Sequence, residues 1–356
     1  MKLLIRPASE VAIKSKPVRK QQMRHLRQNI RKILSRLDSG IRVDGSWDRI
    51  DVDVPEERGL AGPVIDELVR IPGISTIQEI GVFPFVDIQD VGAKAIAAFA
   101  DRLDGKSFVV RARRIGNHDF RSIDLERTVG GMLLQATNAR GVDLKNPQVE
   151  VRIEVKNDQF HIAHRRHEGA GGYPIGAVET VMTLISGGYD SSVAAYLMMR
   201  RGMRSHFLFF NLGGAAHEVG VRQVSHYLWE RYASSHNVKF ISVPFEGVVA
   251  EIMRTVNHRH WGVVLKRMML KAAAEIGQYY NVGGLVMGDA VAQVSSQTLT
   301  NLNVVDRASD EVVLRPLIAM DKQDIIQIAK DIGTEPFART MPEYCGVISS
   351  KPVTRA

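Results

Sequence analysis

The stretch Leu184-Ile185-Ser186-Gly187-Gly188-Tyr189-Asp190-Ser191-Ser192 constrains this chain more than any other. It follows an apolar run, Val178 to Ile185, that reads as a buried strand, and precedes Val193 to Met199, which reads as the first turns of a helix. A strand, a Ser-Gly-Gly-x-Asp-Ser turn and a helix in succession make a phosphate cradle. The glycines admit an anion close to the backbone, and the N–H groups of the loop and of the helix N-terminus point at it. The loop holds no lysine, so it is not a Walker A motif ending in Gly-Lys-Ser/Thr. A purely structural strand-to-helix turn would leave Asp190 and both serines unexplained.

With 356 residues the chain is too long for one ordinary domain. Residues 1–60 read as a small α+β unit. Met1 to Ile5 is a short strand, and Met23, Leu26, Ile30, Ile33, Leu34 and Leu37 form the apolar stripe of a helix from Gln21 to Leu37. Ile41 to Val54 alternates like a hairpin with Asp44-Gly45 as its turn. Residues 61–168 form a second α+β unit, with helices over Gly62–Val69 and Val91–Leu103 and a strand over Lys106–Arg113. A further helix, capped by Ser122 or Asp124, runs to about Thr137, and two strands pair around Asn157-Asp158. The glycine-rich stretch 169–176 is a linker. Over 177–356 strands (Val178–Ile185, Ser205–Leu212, Lys239–Phe245, Leu285–Met287) alternate with helices (Ser192–Arg201, Glu218–Ser235, Val264–Tyr280, Lys322–Ile332). That alternation predicts a doubly wound α/β domain with a mostly parallel sheet.

Charge points to a polyanionic partner. The net charge is +8, and no acidic residue occurs between Glu10 and Asp38. Within that interval Lys20, Arg24, Arg27 and Arg31 are spaced to share one side of the helix, away from the apolar stripe. A second cluster comprises Arg111, Arg113, Arg114, His118 and Arg121. On the strand Phe108 to Arg113, apolar residues alternate with arginines, so one face packs inward and the other presents guanidiniums suited to phosphates. Either cluster alone could be a solvated face; two of them upstream of a nucleotide-binding domain favour RNA. The basic helix has no interleaved aromatics, which favours recognition of duplex shape and backbone over base stacking. No stretch is long and apolar enough to span a membrane, and the N-terminus lacks a signal-peptide core. The single cysteine, Cys345, excludes an internal disulfide framework and a one-chain cysteine metal site, and fits a reducing cytoplasm.

These residues resemble a known family throughout. The 184–192 loop is similar to the PP-loop of the ATP pyrophosphatases, and the whole chain resembles the tRNA sulfurtransferases, which make 4-thiouridine at position 8 of tRNA. The resemblance is carried also by Gly116-Asn117-His118-Asp119-Phe120-Arg121-Ser122 with Arg127-Thr128-Val129-Gly130-Gly131, by Gln293 to Leu302, and by Met341-Pro342-Glu343-Tyr344-Cys345-Gly346. It implies a multidomain α+β and α/β protein: an N-terminal ferredoxin-like domain, a THUMP RNA-binding domain and a PP-loop ATP pyrophosphatase domain. It also implies ATP at the carboxyl ends of the strands, met by the backbone of Leu184 and Ile185. Ser186, Gly187, Gly188, Asp190 and Ser191 would hold the phosphates, with Asp190 positioning Mg²⁺ or pyrophosphate. Lys266, Gly288 and Gln297 match positions that contact ATP, and Lys322 matches a lysine that stabilises charge during adenylation. On their own residues, Lys266 could be a solvated helix end, Gly288 a strand terminator and Gln297 a helix cap. Partners implied are tRNA, a persulfide donor (a cysteine desulfurase with a rhodanese-like domain) and a second copy of the chain in a homodimer.

Relatives with the full architecture carry a C-terminal rhodanese-like domain whose cysteine bears the persulfide. The cysteine matching Cys345 then resolves the intermediate. This chain stops at Ala356 with no second cysteine, so the adenylation machinery is expected here, with sulfur delivered either by a rhodanese-like domain removed from its C-terminal side, the favoured reading, or by a separate protein. The thiamine-related role of some relatives belongs to that further domain. Two other classes stay open: a PP-loop ligase with a different acceptor, which the basic N-terminal half disfavours, and a tRNA-binding module without complete catalysis, which the intact loop disfavours. Many relatives have Gly-Glu and Gly-Gln where this chain has Gly288-Asp289 and Ala292-Gln293. Aspartate keeps the charge of glutamate but shortens its reach.

Overall fold

The computed structural model describes residues 1–55, 59–212, 214–341 and 352–356; Cys345 lies outside the described residues. They form two compact units. The first comprises Met1–Pro7, Leu34–Val69 and Ser75–Gly169, the second Ala8–Ile33, Arg70–Ile74 and Ala170–Ala356.

Strands β1 (Lys2–Pro7), β2 (Arg42–Gly45), β3 (Ile50–Asp53), β4 (Ile74–Pro84), β5 (Ser107–Ile115), β6 (Gly141–Val142), β7 (Val149–Lys156) and β8 (Gln159–Glu168) build one eight-stranded sheet. Their order is β2-β3-β1-β4-β8-β7-β5-β6. The strands before and after residue 60 thus share hydrogen bonds through β4. Sequence pattern assigns no element to β4. The reason is a bulge: its register against β8 shifts between Glu79 and Ile80, which breaks the period of two. Helices Ile88–Leu103 and Ser122–Ala136 bury Ala95, Phe99, Leu125 and Val129 against Phe108, Val110, Val151 and Phe160.

Three local readings need correction. The hairpin reverses through Ser46–Arg49, closed by a 3.0 Å bond from the Ser46 N–H to the Arg49 carbonyl, and not at Asp44-Gly45. Gly45 is the last residue of β2, where an added Cβ would lie 2.5 Å from the Arg49 oxygen. The Ser122–Ala136 helix is capped at Arg121, whose N–H donates to Asp124 at 2.9 Å; Ser122 already lies inside the helix. On β5, Val109 is buried as well as Phe108 and Val110. The alternation with exposed arginines therefore begins only at Arg111.

The second unit is doubly wound. Strands β9 (Thr180–Leu184), β10 (Arg204–Asn211), β11 (Phe240–Pro244), β12 (Leu285–Val286) and β13 (Val313–Leu314) form a parallel sheet in the order β11-β10-β9-β12-β13. The period of two sorts side chains between two cores. Phe207 and Phe209 of β10 pack with Val193, Val221 and Ile325 on one face. Leu208 and Phe210 pack with Ile252, Leu270 and Val305 on the other.

Most of the basic Lys16–Leu34 helix belongs to this second unit. Its buried Asn29 donates to the Ile175 carbonyl at 2.9 Å, and Lys32 donates to the Ser235 carbonyl at 3.2 Å. Glu10, just upstream, pairs with Arg201 at 2.7 Å. Beside this seam, burial first, then Arg204, Lys32 and His25, depress the His236 imidazole to about 4. A histidine whose folded pKa lies below its unfolded value of 6.5 contributes stability above 6.5 that is lost as pH falls toward 4. The thermal midpoint of the protein is expected to fall across that window, and His236→Gln to flatten the fall. An unaltered slope in that variant would remove His236 as its source.

Candidate active site

Each side chain of the site is presented by the carboxyl end of a strand or by the element next to it. Strand β9 leads to β10 on one side, whereas β12 lies on its other side, so the sheet order reverses between β9 and β12. Loops part at such a switch point and leave a crevice. Ser186 follows β9, Gly288 and Asp289 follow β12, and Arg315 follows β13. Ile185 donates its N–H to Leu208 across the sheet at 2.9 Å, which fixes the loop's entry.

The loop is braced from inside. The Ser186 N–H donates to Ser191 Oγ at 3.1 Å, the two hydroxyls lie 3.2 Å apart, and buried His217 donates from Nε2 to the Ser186 carbonyl at 3.1 Å. Gly187 has φ +85°, and a Cβ there would lie 2.5 Å from the Met341 methyl. Gly188, in extended conformation, caps the Tyr189–Arg200 helix. The first-turn N–H groups of that helix have no partner within it. A Cβ on Gly188 would meet only Ser186 Oγ, at 3.9 Å, so the space beside the loop is open there. Gly288 packs directly on the start of the same helix: an added Cβ would lie 2.8 Å from the Asp190 carbonyl carbon and 2.9 Å from the Ser191 nitrogen.

Two carboxylates organise the rest. Asp190 accepts from Lys322 Nζ at 2.6 Å and from Gln293 Nε2 at 2.8 Å. Lys322 is the first residue of its helix and also lies 5.7 Å from the centroid of the Tyr189 ring. Asp289 is 3% exposed and accepts from Lys266 at 2.7 Å, Arg315 at 3.1 Å and Gln297 at 3.1 Å. Burial by itself would raise the Asp289 pKa; Lys266 and Arg315 outweigh it and hold the carboxyl below its ordinary value. Arg315 also binds Asp306 at 3.1 Å. The Oε1 atom of Gln297 is buried without a hydrogen-bond partner.

The expected nucleotide residues Leu184, Ile185, Ser186, Gly187, Gly188, Asp190, Ser191, Lys266, Gly288, Gln297 and Lys322 therefore converge on the β9–β12–β13 end of one unit. Gln293, noted in sequence only as part of the 293–302 motif and of the Ala292-Gln293 departure, joins them, as does Arg315, which was not singled out from sequence. The available signal for Arg315 is a charged residue directly after a short apolar run, Val312-Val313-Leu314, in an α/β pattern. Met341, four residues before Cys345, packs on Gly187 and Gly220. Past the undescribed stretch, Val353 donates to the Arg259 carbonyl at 3.0 Å. Among the described residues no set of His, Cys, Asp or Glu side chains is grouped to hold a metal by itself, and no helix is long and apolar enough to cross a membrane.

Of the expected RNA contacts, Lys20, Arg24 and Arg31 are exposed on their helix and Arg27 is half-buried. In the first unit Arg111, Arg113, Arg114 and Arg121 are exposed. Arg114 donates to the His118 carbonyl at 2.6 Å, Arg111 to that of Leu144 at 2.9 Å, and Arg121 pairs with Asp124 at 3.2 Å. His118 lies with Phe85 and Phe120 in a ring cluster, centroids 5.4 to 5.9 Å apart, an aromatic element the charge pattern does not reveal.

Comparison with known proteins agrees with this architecture. Residues 176–356 match the family described as Thiamine biosynthesis protein (ThiI), residues 85–165 the THUMP domain and residues 2–77 the ThiI ferredoxin-like domain. A tRNA sulfurtransferase of Marinobacter nauticus is 85% identical over 356 residues, covering 100% of this chain and 74% of that protein. One from Pseudomonas aeruginosa is 52% identical with the same coverage. Among solved structures, a 4-thiouridine synthetase–RNA complex with bound ATP matches with a TM-score of 0.86 at 25% identity, over 100% of this chain and 92% of that one. PH1313 from Pyrococcus horikoshii matches in fold with a TM-score of 0.69 at 20% identity, over 94% of this chain and 100% of that one. With three successive domain matches and full-length identity of this order, the chain belongs to the tRNA sulfurtransferase (ThiI) family.

Proposed function

We propose that this chain uses ATP to activate uridine 8 of tRNA for conversion to 4-thiouridine. The observation that carries the reading is the meeting, at one switch point, of the Ser186–Ser191 cradle with the Asp190–Lys322 and Asp289–Lys266–Arg315 pairs. The open space at Gly188 suits a phosphate. Uracil O4 attacks the α-phosphorus, the bond to the β-bridging oxygen breaks, pyrophosphate leaves and the N3 proton is lost. A persulfide sulfur then attacks C4, and the C4–O4 bond breaks with AMP as the leaving group. Cys345 next attacks the sulfur–sulfur bond that links tRNA to the donor. This frees 4-thiouridine and leaves a disulfide with the donor cysteine.

In the first step negative charge grows on the transferring phosphate. The backbone N–H groups from Gly187 onward and the ammonium of Lys322 are preorganised to stabilise it. Asp190, with the nucleotide's own phosphates, would hold Mg²⁺, which supplies neutralisation of phosphate charge. Leu184 and Ile185 supply the strand-end backbone, Lys266 and Gln297 the remaining nucleotide contacts, and Gly288 the clearance. The persulfide donor, the homodimer and a cytoplasmic location complete the reading and are supported by the family resemblance.

The test is pyrophosphate release from ATP by this chain in Mg²⁺, with and without unmodified tRNA. Release that requires tRNA is the expected result. Good tRNA binding without release, even with a rhodanese-like domain added, would leave an RNA-binding module. The exposed basic face gives a second expectation. Neutralising Lys20, Arg24 and Arg31 together should weaken tRNA binding and lower the salt slope by about 2 to 3. An unchanged slope would locate the RNA elsewhere.

A further inference from the structure

The segment from Asp289 to Gln297 touches both carboxylates of the site. Its first and last residues bond each other, and its middle residue, Gln293, reaches back to Asp190. Between them Ala292 has φ +63°, a left-handed conformation that an L side chain adopts only under constraint. Its N–H is held by the Gln297 carbonyl at 3.0 Å, and the Val291 N–H by the Ile318 carbonyl at 3.0 Å. Strain of this kind persists where surrounding bonds over-determine the backbone, and it gathers at functional sites. Glycine would adopt this conformation freely. Here alanine adopts it, and Gln293 still reaches Asp190.

We infer that Gln293 is a positioning residue, presented by the strained Ala292 turn, that aims the Asp190 carboxylate at the metal-bound phosphates of ATP. The inference rests on the proposed ATP chemistry. With Lys322 on Oδ1 and Gln293 on Oδ2, both oxygens of Asp190 have fixed directions. The amide is a neutral donor, so it orients the carboxylate without cancelling its charge. Gln293 thus holds the rotamer, and the lone pairs that neither Lys322 nor Gln293 engages are the ones that would face Mg²⁺. Asp289, locked between Lys266, Arg315 and Gln297, anchors the other end of the segment and fixes the turn in space.

The experiment is a Mg²⁺ titration of ATP binding followed by calorimetry, on the parent chain, Gln293→Ala, Ala292→Val, Asp190→Ala and the Asp190→Ala/Gln293→Ala double variant. Gln293→Ala and Ala292→Val should each raise the half-saturating Mg²⁺ concentration by about 10-fold. In the Asp190→Ala background, Gln293→Ala should add nothing, because its effect passes through that carboxylate. Gln293→Asn, with a shorter amide, should recover only part of the affinity. Ala292→Gly should raise the thermal midpoint by about 1–4 °C by removing the strain. An unaltered Mg²⁺ dependence in Gln293→Ala, or an equal effect with and without Asp190, overturns the inference, as does the absence of Mg²⁺-dependent ATP binding. Normal Mg²⁺·ATP binding without tRNA-dependent pyrophosphate release would overturn the proposed function while this result still stood.

Discussion

Asp190→Ala is expected to lower tRNA-dependent pyrophosphate release by at least about 10²-fold, the scale seen when a preorganised electrostatic group is removed from a reacting centre. The folded state should barely notice. The Asp190–Lys322 pair is partly solvent-exposed, and pairs of that kind contribute about 0–1 kcal/mol. tRNA affinity should also persist, because the exposed basic residues lie on the Lys16–Leu34 helix and in the first unit. Measuring release, thermal midpoint and tRNA binding on one preparation separates these effects. A parallel loss of tRNA binding would mean that Asp190 serves the RNA and not ATP.

Asp289→Ala should act in the opposite way, mainly on stability. It strips Lys266 of its carboxylate and leaves Arg315 with Asp306 alone in a nearly dry site, their side chains 18% and 10% exposed. Breaking a buried pair by removing one partner costs about 3–5 kcal/mol. In a unit of this size that corresponds to a midpoint lower by on the order of 10 °C. The pH dependence follows from the depressed Asp289 pKa. A carboxyl held below its unfolded value of 3.8 contributes stability that is fully present above that value and is lost as pH falls below it. The parent should therefore lose stability more steeply than the variant below pH 3.8, and the two should run parallel above about 5. A midpoint within 2 °C of the parent, measured at neutral pH, would show that the network stores no such energy. ATP affinity should weaken as well, because Lys266 loses the partner that orients it.

What the sequence by itself determined is local. The Ser-Gly-Gly-x-Asp-Ser turn declares its own chemistry because a phosphate cradle needs a few neighbouring residues: glycines for clearance and a helix start for donors. The alternation of strands and helices after residue 177 likewise announces a doubly wound sheet, since each element writes its period into its own side chains. Elements whose pattern is interrupted stayed hidden, as β4 did behind its bulge, and so did the two-residue strand β13, too short to show a period. The cap at Arg121 and the reversal at Ser46–Arg49 depended on which backbone groups closed the turn. Only the tertiary structure decided which charges meet. Lys322 reaches Asp190 across 132 positions, Gln293 across 103, and Arg315 reaches Asp289 across 26. No residue pattern encodes those pairs, because they follow from the sheet order β10-β9-β12-β13, which brings the carboxyl ends of distant strands to one crevice. The same holds for the basic helix: its charge is legible in its own residues, but its seating beside Ile175 and Ser235 is set by buried contacts distant in sequence.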